Sequence, residues 1–305
     1  MGRSRPFKPR KSRMSLFATR RWALGAALAA AAAGFGPAWA SEPAPAAFAR
    51  IERRIGGRLG VSAVRAGRAP LGWRAQERFR MCSSFKWLLV AEVLRRVDQG
   101  EESLGRRIAY GSADLMSYAP ATRAHLSEGA MTLADLCAAA VTLSDNTAAT
   151  LLMRNVGGPA AVTALARRLG DPTTRLDRWE PQLNEGPASD IRDTTTPAAM
   201  RADLQAALFG PVLSRGSRAQ LLAWLEETAT GLGRLRAGWP KGAKTGDKTG
   251  SNPGAGIAAD VGVVWPPGGG APLFAAVYTF GAAVRDAALD AALAEVGAVV
   301  YRALA

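Results

Sequence analysis

Met81-Cys82-Ser83-Ser84-Phe85-Lys86 runs directly into Trp87-Leu88-Leu89-Val90-Ala91-Glu92-Val93-Leu94, an apolar segment that reads as a buried helix. Ser83 and Lys86 stand three positions apart, so at the start of that helix they share one face. A serine so placed can lose its proton to a neutral amine beside it and attack an acyl carbon. The structural alternative is an N-cap serine with a lysine one turn away, a pattern that also arises by chance. The remainder of the chain has to decide between the two.

The chain has 305 residues, 48% of them hydrophobic, and a formal charge of +14. Much of that charge sits in the first 40 residues, which hold eight basic residues and no acid. Residues 22–36 are small and apolar, shorter than the roughly 20 residues a membrane span needs. Ala38-Trp39-Ala40 then fits a small-x-small cleavage site, so residues 1–40 are expected to be a signal peptide. Arg20-Arg21 before Trp22-Ala23-Leu24 suggests the twin-arginine route. Without that segment 31 basic residues face 25 acidic ones, a net of +6. No basic stripe with interleaved aromatics is present, which argues against nucleic-acid binding. The mature chain is expected to be exported, soluble and without a membrane span.

One histidine, His125, and two cysteines argue against a zinc site of the usual kind, and no metal or cofactor is expected. His125 reads as a structural hydrogen-bonding residue. Cys82, beside the candidate nucleophile, and Cys137, in an apolar helix, are badly placed for each other and are expected to be free thiols.

Helical spacing over residues 48–55 stops at Gly56-Gly57, and residues 58–64 and 71–75 read as a hairpin. From 83 to about 170 the signals are mostly helical, and helices resume over 198–208 and 218–227. Strand-like runs follow at 258–265 and 273–280, and a last helix spans 287–303. Strands at both ends with helices between them imply an α/β (α+β) fold. Residues 41–79 and 226–305 would build an antiparallel sheet with flanking helices. Residues 80–225 would build an all-helical lobe, and a site would lie between the two. Within that lobe, 171–197 is too long and aperiodic to be a mere connection.

Three further signals follow Ser83-x-x-Lys86 in order. Ser144-Asp145-Asn146 offers a hydroxyl for proton relay and an amide for a substrate carbonyl, or simply a capped turn. Glu180-Pro181-Gln182-Leu183-Asn184, in the long loop, offers a carboxylate and an amide that could orient one water, or solvated surface. Lys248-Thr249-Gly250-Ser251 enters a strand with an ammonium, two hydroxyls and a glycine that lets a ligand approach. An overlapping copy, Lys244-Thr245-Gly246, precedes it. The second is preferred because it leads directly into the strand and follows Asp247.

Taken in order, these segments resemble the class A serine β-lactamases, whose motif set is S-x-x-K, S-D-N and K-T-G. The resemblance covers essentially the whole chain after residue 40. It extends to Tyr118-Ala119-Pro120, Arg178-Trp179-Glu180-Pro181-Gln182-Leu183-Asn184, Asp190-Ile191-Arg192-Asp193-Thr194-Thr195-Thr196-Pro197 and Val263-Val264-Trp265-Pro266.

It implies hydrolysis of the β-lactam ring of penicillin- or cephalosporin-type antibiotics through a Ser83 acyl-enzyme. Backbone N–H groups of Ser83 and Ser251 would form the oxyanion hole. Acylation would use Lys86 or Glu180 as base, and a water activated by Glu180 and placed by Asn184 would deacylate. Ser144, steered by Lys248, would protonate the leaving nitrogen. Asn146 would bind the substrate's side-chain amide, and Tyr118 would wall the cleft. Lys248, Thr249, Ser251 and Arg234 would take the substrate carboxylate, with Arg285 the alternative to Arg234. Arg178 and Asp193 would tie the loop neck, and the Glu180-Pro181 bond is expected to be cis.

Two departures bear on substrate range. A cysteine that some carbapenem-hydrolysing relatives pair with the Cys82 position is replaced by Asn252, and the partner that other relatives give Cys137 is replaced by Val90. Expected partners are small β-lactams, and the family expectation is a monomer. Rival readings are a penicillin-binding D,D-peptidase, which lacks the glutamate loop, and a β-lactam sensor domain that stays acylated.

Overall fold

Residues 273–280 are buried on both faces: Leu273, Ala275 and Val277 turn one way, and Phe274, Ala276 and Tyr278 the other. A strand of this kind needs cover on each side. In the computed structural model, which describes residues 42–305, it is the central strand of a five-stranded sheet. The expected signal peptide, its cleavage site and the twin-arginine pair lie outside the described residues.

The strands are β1 (Arg58–Arg65), β2 (Leu71–Trp73), β3 (Phe79–Arg80), β4 (Arg107–Ala109), β5 (Ala130–Thr132), β6 (Thr194–Thr195), β7 (Lys244–Asn252), β8 (Ile257–Trp265) and β9 (Leu273–Phe280). The large sheet runs β2-β1-β9-β8-β7 with every neighbouring pair antiparallel. Both chain ends therefore build one sheet, with Val61 opposite Val277 and Ser251 opposite Ala258.

The helices are α1 (Ala44–Ile55), α2 (Lys86–Asp98), α3 (Pro120–Ala124), α4 (Leu133–Thr142), α5 (Asn146–Val156), α6 (Pro159–Arg168), α7 (Pro197–Phe209), α8 (Arg215–Glu226), α9 (Leu235–Gly238) and α10 (Asp286–Leu304). Phe48 and Ile51 of α1 join Leu293, Val296 and Val300 of α10 in covering one face. The opposite face meets Met200 and Leu204 of α7, Leu221 and Leu225 of α8, and the continuous cluster around α2. Every residue of α2 from Lys86 to Leu94 is buried, so this helix is the axis of the helical half. Each fully buried Leu or Val there contributes about 1.5–3 kcal/mol by leaving water.

The stretch between the sheet strands is not purely helical. Two ribbons, β4 with β5 and β3 with β6, lie within it. Strands of two or three residues leave no repeat in a sequence, which is why helical periodicity alone passes over them. The β3–β6 ribbon sets Arg80 opposite Thr194 and so closes the neck of the long loop just before the Ser83 turn.

Candidate active site

Ser83 sits in a 3-10 turn, Cys82–Phe85, that hands directly to α2 at Lys86. The turn is held from beneath, where Ser84 Oγ donates to Met81 O (2.8 Å) and bonds Tyr278 Oη of β9 (2.9 Å). Cys82 has a φ of 44°, a strained value for a non-glycine residue. Strand β7 crosses close by: a Cβ at Gly250 would lie 2.5 Å from Met81 O and 3.0 Å from Ser84 N. Only glycine allows that approach, and it brings Ser251 beside Ser83.

Lys86 and Lys248 are both fully buried and converge on one hydroxyl. Lys248 Nζ donates to Ser144 Oγ (3.1 Å) and Thr249 O (2.9 Å). Lys86 Nζ donates to Ser144 O (2.8 Å) and to Asn146 Oδ1, and lies 3.5 Å from Ser144 Oγ. Burial pulls both ammonium groups below the ordinary lysine range, Lys248 strongly, and the Lys86 charge lowers Lys248 further. For Lys86 the Glu180 and Asp145 carboxylates oppose the shift without cancelling it. Ser144, like Cys82, is left-handed, at φ 59°.

Asp145 explains how that turn is held. Its carboxylate accepts Ala148 N (2.9 Å) as the N-cap of α5, and Ala121 N (3.0 Å), Thr122 N (2.9 Å) and Thr122 Oγ1 (3.0 Å) from α3. One buried side chain thus locks α3 to α5, and Asn146 N completes the join by donating to Tyr118 O (3.0 Å). Tyr118 is left half exposed at the rim.

The long loop brings Glu180 to the same place. Its Oε1 is buried without a hydrogen-bond partner and lies 3.6 Å from Lys86 Nζ, while its Oε2 accepts from Asn184 Nδ2 (2.8 Å). The Glu180-Pro181 bond is cis. At the neck, Asp193 accepts Arg178 Nε (2.5 Å), Asp177 N (2.8 Å) and Arg178 N (2.9 Å).

Ser83, Tyr118, Ser144, Asn146, Glu180, Asn184, Thr249 and Ser251 line a single cleft of about 410 Å³, together with Thr230, Gly250 and Pro253. That is a small-molecule site by size. Ser83, Ser144 and Glu180 line it, and two lysines of lowered basicity stand buried against Ser144. A family model described as the beta-lactamase enzyme family matches residues 46–304, nearly the whole described chain. The chain belongs to the class A serine β-lactamases.

This β-lactamase is 44% identical over 256 residues to beta-lactamase L2 of Stenotrophomonas maltophilia, covering 84% of each protein. It is 41% identical over 267 residues to the carbapenem-hydrolyzing beta-lactamase KPC of Klebsiella oxytoca, covering 87% of this chain and 90% of KPC. Among solved structures it is similar to an ancestral (GNCA) class A β-lactamase, with a TM-score of 0.82 and 52% identity, covering 86% of this chain and all of that one.

Arg234 sits where the sequence reading did not place it. Rather than facing the cleft, it is buried behind Ser251, donating through Nη2 to Ser251 Oγ (2.8 Å) and through Nη1 to Gly250 O and Ala259 O (both 3.0 Å). Its Nε is paired with Asp290 Oδ1 at 2.7 Å. Of the residues it bonds through its guanidinium, Ser251 presents its side chain at the cleft. Arg285 shares the shallow depression behind Ser251 and donates to Ala282 O.

The first K-T-G copy is sorted out by position alone. Lys244 is exposed, pairs with Glu226 at 2.8 Å and lies over the Trp265 ring, whereas Lys248, four residues on along β7, is buried at Ser144. Cys82 and Cys137 are buried and free, and burial pushes the Cys82 thiol up to about 12. His125 is at the surface against Glu128, 2.6 Å away. Among the described residues no cluster of metal-ligating side chains is present, and no helix is long and apolar enough to cross a membrane.

The contacts made by Thr230, Asn252 and Arg80 were not legible in the sequence. Thr230 Oγ1 bonds Thr249 Oγ1 (2.7 Å), Asn252 Nδ2 donates to Asn184 O (2.9 Å), and Arg80 bonds the far limb of the loop. Each acts on a partner distant in sequence, so no local motif marks it.

Proposed function

We propose that this cleft opens the β-lactam ring by the following division of labour. Ser83 Oγ attacks the ring carbonyl and passes its proton to the buried Lys86–Glu180 pair. The oxygen that becomes negative lies against the backbone N–H groups of Ser83 and Ser251. Preorganised donors of this kind are worth about 3 kcal/mol each in the transition state. The carbon–nitrogen bond breaks as Ser144 hands its proton to the leaving nitrogen. Lys86, 3.5 Å from Ser144 Oγ, replaces that proton with the one taken from Ser83, so that Glu180 is again a free carboxylate. Asn146 and Tyr118 receive the substrate's side chain. Thr249, Ser251 and Lys248 receive its carboxylate, with Arg234 acting from behind Ser251. A water oriented by Asn184 then adds to the acyl carbon as Glu180 takes its proton. The bond from that carbon to Ser83 Oγ breaks as the Lys86–Glu180 pair returns this proton to Oγ, which frees Ser83 and leaves the opened product as its acid.

The observation that carries this reading is Glu180 Oε1, a buried carboxylate oxygen without a hydrogen-bond partner, fixed beside Lys86 in the cleft that holds Ser83. A D,D-peptidase lacks the glutamate loop that carries this base, and a sensor domain that stays acylated does not need one. Penicillins and cephalosporins are the proposed substrates. The pattern of residues 1–40 supports export to the periplasm or beyond, where the activity would confer antibiotic resistance, and the family expectation is a monomer.

Turnover of a chromogenic cephalosporin by the mature protein tests the reading, and stoichiometric acylation without turnover would sink it. Glu180→Ala should acylate at Ser83 and stop there, adding one opened β-lactam to the intact mass. A variant that still turns over at the wild-type rate removes Glu180 from deacylation.

A further inference from the structure

Four consecutive carbonyls on the returning limb of the glutamate loop are gripped from outside it. Asn184 O accepts from Asn252 Nδ2 at the end of β7 (2.9 Å). Glu185 O accepts from Arg80 Nη1 and from Arg178 Nη2 (3.0 Å). Gly186 O and Pro187 O accept from Arg80 Nη2 at 3.0 and 3.2 Å. Three of the four are held by one side chain. The limb itself, residues 185–189, is exposed, whereas Arg80 is only 3% exposed.

Arg80 also stands at the other end of the problem. It is three residues before Ser83 in β3, its backbone is paired with Thr194, and the next residue donates from Met81 N to Asp193 O (3.1 Å). A planar guanidinium fork bonded to three carbonyls has little freedom to move. A single residue thus couples the strand that leads to the nucleophile with the limb that follows Asn184, and Asn184 in turn holds Glu180.

We propose that Arg80 is a positioning residue for deacylation, holding the 184–187 limb so that Glu180 and Asn184 are set against the Ser83 acyl group. This rests on the acyl-enzyme reading given above. Arg80 does not line the cleft. Lys86, Ser144 and Lys248 are held to one another by their own bonds from α2, the turn before α5 and β7. The loss of Arg80 therefore falls on the hydrolytic step.

The test uses Arg80→Ala and Arg80→Lys in the mature protein, with steady-state and burst kinetics on a chromogenic cephalosporin, normalised to titrated active sites. Misplacing the loop by about an ångström should lower kcat about 10- to 100-fold. KM should fall with it, leaving kcat/KM within about threefold of wild type, because only a step after acylation has slowed. The Ser83 acyl-enzyme should accumulate during turnover in the intact mass. Arg80→Lys should lie between wild type and Arg80→Ala, and it carries the same test if the alanine variant does not fold. Unchanged kcat and KM per active site, with only a lower Tm or active fraction, would overturn the proposal. Equal losses in kcat and kcat/KM would also overturn it. A wild type that acylates without turning over overturns the hydrolase reading and this role together. A wild type that turns over beside unaffected variants overturns this role alone.

Discussion

Ser251 shows how a residue's position changes its chemistry. Its Oγ accepts a hydrogen bond from Arg234 Nη2, so its own proton is free to be donated into the cleft. Arg234 thereby sets the direction of the Ser251 hydroxyl. Arg234→Ala should raise the KM for penicillins about tenfold or more, the scale of a hydrogen bond that involves a charged group. Because the effect passes through Ser251, adding Ser251→Ala to Arg234→Ala should cost much less than Ser251→Ala alone. Steady-state kinetics on the two single variants and the double variant measure this coupling. Strictly additive losses would mean that the two residues act separately.

At the scale of an element, the loop and α7 share a buried acid. Asp203 of α7 is buried beside Asp171, where the loop begins. Burial first, and the neighbouring Asp171 carboxylate second, push the Asp203 carboxyl up to about 9. The folded protein therefore keeps a proton that the unfolded chain releases above the ordinary aspartate value of 3.8. Between about pH 4 and pH 9 the native state binds more protons than the unfolded one, so stability falls as pH rises through that window. Asp203→Asn should flatten the decline in Tm across it, and thermal melts at several pH values would show this. An unaltered slope would assign the pH dependence elsewhere. The same loop depends on Arg80 and on the Arg178–Asp193 pair, so its two ends and its far limb are fixed by different parts of the fold.

Residues 42–305 are closed on themselves by the first and last strands of their sheet, since β1 pairs with β9 over the full length from Arg58–Phe280 to Arg65–Leu273. Residues 42–305 form one compact unit, and Cys82 under β7 and Cys137 in α4 are both buried within it. A thiol alkylating reagent should then reach each only when the whole unit opens. The native protein should resist iodoacetamide at both thiols, and in moderate denaturant the two should label at similar rates, as peptide mass mapping would report. Much faster labelling of Cys82 would show that the nucleophile turn opens locally. With no disulfide among the described residues, a reductant should leave the Tm unchanged.

By itself the sequence determined what short-range backbone geometry fixes. A helix places residue i beside i+3, so Ser83 and Lys86 had to share a face. The runs over 258–265 and 273–280 were visible as strands. The long aperiodic stretch around Glu180 was visible as a loop with work to do. Only the tertiary structure decided the contacts between distant segments. Lys86 and Lys248 meet at one serine hydroxyl, Arg234 stands behind Ser251, and Lys248 rather than Lys244 is the buried lysine. Arg80 grips carbonyls more than a hundred residues away. Such meetings depend on how the sheet closes and how tightly β7 can pass the Ser83 turn, which no local pattern of residues specifies.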